Sequence, residues 1–153
     1  MPTAAPRLRL YIDGTDSTIE EIRAIGVRAR NARPVLEQIQ ALMAEGAAEQ
    51  FVSEGARGGL KWKPDERSYV ERKAKEGHAT DLEVRTHTLH DSLVAKGGGG
   101  NAIRRLSKAS TTFGTRVYYA QFQGHRRELL AVTKTDQDRW ATKMIDYILT
   151  GEL

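Results

Sequence analysis

The spacing of apolar residues changes along the chain, and this change limits the folds that the chain can adopt. Apolar side chains recur at Ile19, Ile22 and Ile25, which is helical spacing, and a second helix is predicted over residues 34–53. Residues 112–123 are instead rich in β-branched and aromatic residues, which is typical of a strand. The sequence therefore predicts an α+β fold, with a small antiparallel sheet packed against N-terminal and C-terminal helices.

Helical spacing returns near the C-terminus. We expect Thr135 to cap this last helix, with Asp138 completing a weak capping box, and Gly151 to end it. Trp140 is expected on its buried face. In the middle of the chain, residues 69–76 are predicted to form a short charged helix or a turn, and residues 88–96 another short helix.

The predicted sheet centres on a pair of strands over residues 102–108 and 112–123. Residues 7–13 alternate apolar and polar side chains, which predicts a half-buried strand near the N-terminus. Residues 129–132 fit either a third short strand or an extended approach to the last helix.

A long glycine-rich loop is predicted over residues 54–68. It contains Trp62, whose large ring is stabilised by burial, so the loop is expected to pack on the body of the protein. We predict three structural anchors in the core, one each in the loop, the sheet and the last helix: Trp62, Tyr119 and Trp140.

Four consecutive glycines, Gly97, Gly98, Gly99 and Gly100, allow two interpretations. A phosphate-binding loop would continue with Lys and then Ser or Thr at the start of a helix. Here Asn-Ala-Ile follows, so a flexible hairpin tip or linker is favoured.

The composition excludes several classes of site. The chain has 153 residues, which suits one domain over its whole length, and it has no cysteine, which excludes disulfides, thiolate nucleophiles and cysteine-ligated zinc. No N-terminal apolar stretch resembles a signal peptide. The longest apolar run covers residues 129–132, whereas a membrane helix needs about 20 apolar residues.

Histidine and serine residues give only weak signs of chemistry. His87, His90 and Asp91 could supply part of a metal site, but they lack the HExxH spacing, and surface histidines are the favoured interpretation. Ser92 lies beside Asp91 without the GxSxG pattern of a nucleophile. We therefore expect no catalytic residue, no bound metal and no cofactor, and a protein that is not an enzyme.

Basic residues cluster in the predicted hairpin. Arg104, Arg105 and Lys108 fall in its first strand, and the formal net charge is +4. The functional interpretation is a positive surface that faces a nucleic-acid backbone. The alternative is a solvated strand face whose charges prevent edge pairing.

An ordered series of motifs resembles the phage virion morphogenesis proteins, the tail-completion and head–tail joining family of tailed bacteriophages. The similarity covers roughly residues 36–149. Its residues are Phe51, Ser53, Glu54 and Gly55; Gly58, Gly59, Leu60, Lys61, Trp62, Lys63 and Pro64; Tyr69 and Lys73; Leu89, His90, Asp91, Ser92 and Leu93; Phe113, Gly114, Thr115, Val117, Tyr119 and Ala120; Gln123 and Gly124; and Leu129 and Leu130.

The resemblance implies a structural virion protein of the neck or tail that completes the head-proximal tail end and helps it join the head. It implies a homo-oligomeric ring, expected to be hexameric, around a passage for genomic DNA that is not specifically recognised. The glycines at 97–100 and the basic strand would line that passage or contact neighbours. The implied partners are the connector, the tail terminator and the tail tube, in the virion and, during assembly, in the host cytoplasm, without a membrane.

The sequence also departs from the family pattern in two places. Phe122 and Gln123 stand where a His-Gln pair is frequent, and His125-Arg126-Arg127 replaces a common Pro-Ala-Arg segment. Two other functions therefore remain as alternatives, a basic nucleic-acid-binding module and a small hydrolase with an unrecognised site.

Overall fold

The computed structural model describes residues 15–78, 87–95, 99–124 and 127–153. The elements in chain order are α1 (Thr15–Arg30), α2 (Arg33–Val52), a 3-10 turn (Ala56–Gly58), α3 (Arg67–Lys75), α4 (Thr88–Val94), β1 (Ala102–Leu106), β2 (Thr111–Thr115), α5 (Ala120–Gly124) and α6 (Lys134–Thr150). Helices at both ends and a small antiparallel sheet confirm the α+β prediction. The strand predicted over residues 7–13 lies outside the described residues.

The first two helices are divided where the sequence predicts a break. Pro34 occupies the first turn of α2, where its missing N–H costs no hydrogen bond. Helix α1 contains no buried residue, and it is attached to the end of α6 by Arg28, which donates to the carbonyls of Ile148 (2.8 Å) and Leu149 (2.6 Å). These bonds satisfy carbonyls that lack a partner within the last turn of a helix.

The two strands form an antiparallel hairpin in which Arg104 pairs with Phe113 and Leu106 with Thr111. Residues 107–110 make its tip, where the Ser107 hydroxyl accepts hydrogen bonds from the amides of Ala109 (3.2 Å) and Ser110 (2.9 Å). Of the two possibilities predicted for the glycine run, a hairpin tip or a linker, the tip of this hairpin is excluded, because the run precedes β1 in the sequence.

The second strand is shorter than predicted, and Tyr119 is not a core anchor. After Thr115 the chain turns, because Val117 donates to the Thr115 hydroxyl (3.1 Å) and its carbonyl accepts from Ala120 (3.0 Å), and α5 then begins. Val117 takes the buried position, whereas Tyr119 is 43% exposed. Residues 129–132 form no strand; the chain bends at Leu129 and Leu130 before it enters α6.

Two apolar clusters make up the core. One joins the glycine-rich loop, α2, α4 and the segment after β2, through Ala47, Phe51, Trp62, Leu89, Leu93, Val117 and Leu129. The other joins the start of α2 to α6, through Ala32, Val35, Leu36, Ile39 and Tyr147. Trp62 is 4% exposed, as predicted, and the partly buried Trp140 packs against the second cluster.

Helix α6 begins two residues earlier than the predicted cap implies. Thr133 accepts a hydrogen bond from the amide of Asp136, and the Asp136 carboxylate accepts from the amide of Thr133, which is a complete capping box. Gly151 ends the helix in a left-handed conformation, φ 84°, as expected. None of the described helices is both long enough and apolar enough to cross a membrane.

Candidate interaction surface

The glycine-rich loop packs so closely on the core that two of its glycines have no room for a side chain. Gly55 has a φ of 90°, and a Cβ there would lie 2.5 Å from Trp62 Nε1. A Cβ at Gly58 would lie 2.8 Å from the Ala131 side chain. These glycines allow Trp62 and the segment before α6 to pack directly on the loop.

An ionic cluster centred on Arg57 ties the same loop to α2 and α6. Arg57 bonds Glu49 (2.8 Å), Asp136 (2.6 Å) and the Ala131 carbonyl (2.6 Å). Burial by itself would raise the pKa of Asp136, but hydrogen bonds from Arg57 and Thr133 hold it below its ordinary value. Burial would likewise lower the pKa of Arg57, and its bonds to Asp136 and Glu49 raise it instead.

A cavity of about 160 Å³ lies beside this cluster, between α2, β2 and α6. Its walls are mainly apolar and include Met43, Phe113 and Trp140, while Arg57 and Asp136 contribute charge. Because those two charged groups bond each other at 2.6 Å, the cavity walls present no free acid or base to a ligand.

A second ionic cluster anchors α3. Lys73 is 2% exposed, and its Nζ lies 3.6 Å from Asp65. Arg127 donates to the same carboxylate (3.0 Å) and to the Lys63 carbonyl (2.6 Å). The charge of Arg127 is therefore used inside the protein.

Arg104 also differs from its predicted role. Its guanidinium carbon lies 3.7 Å from the centroid of the Phe113 ring, and the group donates to the carbonyls of Leu93 (2.8 Å), Ser92 (3.3 Å) and Gly114 (3.2 Å). Burial lowers its pKa. Arg104 joins the hairpin to the C-terminal end of α4.

Arg105 and Lys108 remain exposed, and the fold adds two further arginines to them. The Lys108 carbonyl accepts a 2.7 Å hydrogen bond from the amide of Ala32, which lies between the exposed Arg30 and Arg33. We name the four residues Arg30, Arg33, Arg105 and Lys108 the basic tip. Within the described part of the chain, none of the four forms an ion pair.

The remaining predicted interface residues are the four glycines. Gly99, with φ 59°, and Gly100 are exposed, and a Cβ on either would meet no atom within 4 Å. Gly97 and Gly98 lie outside the described residues. The two described glycines are thus free of packing constraints before β1.

Arg30 and Arg33 were missed in the sequence because 78 and 75 positions separate them from Lys108, and no local pattern joins the break between two helices to a hairpin tip. The sequence did not predict the ionic cluster around Arg57 either, because Glu49 and Asp136 come close to Arg57 only in the folded chain. Comparisons with protein-family models, with curated proteins and with solved structures found no match for this chain.

Proposed function

We propose that this chain is a structural virion protein of a tailed bacteriophage, which completes the head-proximal end of the tail and helps join it to the head. In this proposal the protein acts within a ring, expected to be hexameric, around the passage for DNA. It works by making protein contacts and carries out no reaction.

One observation carries the proposal. Residues of the motif series that resembles the tail-completion family are far apart in the sequence, yet Phe51, Trp62, Leu89, Leu93 and Val117 share one buried cluster. The convergence of these five residues on one core supports the proposal, while Leu60 and Tyr119 of the same series remain exposed.

Polar residues of the same motif series also make contacts inside the protein. Lys73 is buried against Asp65, and the Ser92 hydroxyl bonds the Leu89 carbonyl (2.7 Å) and the Thr115 hydroxyl (2.7 Å). Gly55 makes room for the Trp62 ring. Motif residues with these contacts fit a protein whose sequence is constrained by packing.

The basic tip indicates which side of the subunit would face the DNA passage. In a ring, Arg105 and Lys108 with Arg30 and Arg33 would face the DNA passage or an acidic neighbour, whereas Arg104 would remain inside each subunit. Charges of this kind act over about 8 Å at physiological salt, so they suit DNA that passes close by without being held.

The test is to image intact particles of the phage whose genome encodes this chain and to locate the chain in the density. We expect a ring on the tail axis between head and tail. Absence from the particles, or scattered copies away from the axis, would contradict the proposal.

The basic tip also favours a second candidate, a nucleic-acid-binding module. Binding through four cations would weaken steeply with salt, because each phosphate contact releases counterions. Titration of a labelled DNA duplex at 50 and 200 mM salt measures this. Micromolar binding at physiological salt, lost when Arg105 and Lys108 are replaced, would favour this candidate over a ring that only surrounds DNA.

A further inference from the structure

We infer that His87, His90 and Asp91 form a binding site for a divalent transition-metal ion of the zinc type. His87 is the residue just before α4 and has a φ of 58°, and His90 and Asp91 follow in the first turn of that helix. One ligand atom from each lies within 4.8 Å of the other two. In the described part of the chain, no other group of three such side chains meets this condition.

The separation of two of these atoms fits bound ligands. His90 Nδ1 lies 3.0 Å from Asp91 Oδ1, in a hydrogen bond that a bound ion would replace. Ligands placed about 2.1 Å from one ion are about 3.0 Å apart in octahedral and about 3.4 Å apart in tetrahedral geometry. One ring nitrogen of His87 lies within 4.8 Å of the ligand atoms of His90 and Asp91, so binding requires the three side chains to close around the ion.

The position of His90 is fixed by the core. Its ring packs edge-to-face on the buried Phe51, with centroids 5.1 Å apart, and also edge-to-face on His87, with centroids 6.1 Å apart. The side chains of His90 and Asp91 are 29% and 58% exposed, so an ion can enter from solvent and complete its coordination with water. The site is thus partly preorganised and open.

The donor set selects the ion. Two imidazoles with one carboxylate suit Zn²⁺, Co²⁺, Ni²⁺ and Cu²⁺, whereas Mg²⁺ and Ca²⁺ prefer oxygen ligands. This inference is independent of the proposed role in the virion, and it revises the sequence-based expectation that these histidines are plain surface residues.

The experiment uses the full chain without a polyhistidine tag, treated with a chelator and then dialysed. Zn²⁺ and Mg²⁺ are titrated calorimetrically, and Co²⁺ is followed by its visible absorption. We expect one Zn²⁺ or Co²⁺ per chain and no saturable binding of Mg²⁺.

Variants locate the ion. His87→Gly removes a ligand at a position with φ 58°, where glycine is the least strained residue, and Asp91→Asn removes the carboxylate charge with little change in shape. Each is expected to weaken Zn²⁺ binding at least tenfold. His78→Gln is the matched control: among the described residues, His78 lies near one carboxylate, that of Glu76 at 3.5 Å, and this change should leave binding unchanged.

Circular dichroism of every variant verifies that it is folded. Absence of saturable Zn²⁺ and Co²⁺ binding to the parent chain would overturn the inference. Equal affinity in a folded His87→Gly/His90→Gln variant would overturn it as well, since the ion would then lie elsewhere.

Discussion

The backbone of Gly55 lies directly against the indole ring of Trp62, and no side chain fits between them. A Cβ on Gly55 would be 2.5 Å from Trp62 Nε1 and 2.7 Å from the Leu60 carbonyl oxygen. Trp62 in turn donates its amide hydrogen to the Glu54 carbonyl at 2.6 Å. The glycine and the tryptophan therefore act as one unit that closes the glycine-rich loop over Phe51.

Gly55→Ala is expected to destabilise the protein by about 2–4 kcal/mol, through a strained backbone and displacement of the Trp62 ring. Gly59→Ala is the matched control. Its φ of 95° is also positive, but a Cβ there meets nothing within 4 Å, so only the backbone strain of about 1–2 kcal/mol is expected. Urea unfolding of both variants measures the difference, and equal losses would contradict the close contact with Trp62.

Trp62→Ala is expected to cost about 3–5 kcal/mol, because it leaves a large cavity in the core. The buried Trp62 Nε1 has no hydrogen-bond partner among the described residues. Trp62→Phe therefore removes no hydrogen bond and should cost only about 1–2 kcal/mol. Leu60→Ala, at a position 83% exposed, should change stability by less than about 0.5 kcal/mol. A melting curve unchanged by Trp62→Ala would rule out the anchor role.

The sequence predicted this anchor because a tryptophan in a glycine-rich loop has few stable places other than the core. It failed at Tyr119, since β propensity describes a residue that fits a half-buried sheet, and the hydrogen bonds around Val117 end the strand first. It also placed the last cap at Thr135. Thr133 and Thr135 both precede possible helical positions, and only the packing of Arg57 on Asp136 selects the earlier one.

The basic surface shows the same limit. Local sequence identified Arg105 and Lys108, and it included Arg104, whose role depends on the carbonyls at the end of α4. The spacing of residues along the sequence does not predict which backbone carbonyl a long arginine side chain will bind. The convergence of Arg30 and Arg33 with the hairpin tip required the fold as well.

The Asp136–Arg57 contact predicts a specific dependence of stability on pH. The pKa of Asp136 is lower in the folded protein than its ordinary value of about 3.9, so its contribution is fully present above that value. The contribution is lost as the pH falls below about 4 towards the lowered folded-state pKa. Asp136→Asn should therefore cost about 1–3 kcal/mol at pH 7 and progressively less at pH 3.

Asp138→Asn is the control for this titration. Asp138 pairs with Lys134 at 2.6 Å, but the two side chains are 63% and 80% exposed, so the effect should be below about 1 kcal/mol at either pH. Urea unfolding of the three proteins at pH 7, 5, 4 and 3 gives the comparison. A penalty for Asp136→Asn that stays constant down to pH 3 would show that the carboxylate does not act through its charge.

Arg104 and Arg105 are neighbours in β1 with opposite expected roles, and they provide the final prediction. Arg104→Met keeps much of the apolar contact with Phe113 but leaves the carbonyls of Leu93 and Gly114 without this donor, which should cost about 1–3 kcal/mol. Arg105→Met changes an exposed side chain and should alter stability by less than about 0.5 kcal/mol. For association with a DNA duplex or an acidic neighbour the expected order reverses, because Arg105 is exposed whereas the guanidinium of Arg104 is bound to carbonyls within the protein. Thermal melting and a binding titration at low salt measure the two effects on the same samples. If Arg104→Met weakened binding while leaving the melting temperature unchanged, its guanidinium would have to face the partner, and the assignment of the basic tip would fail.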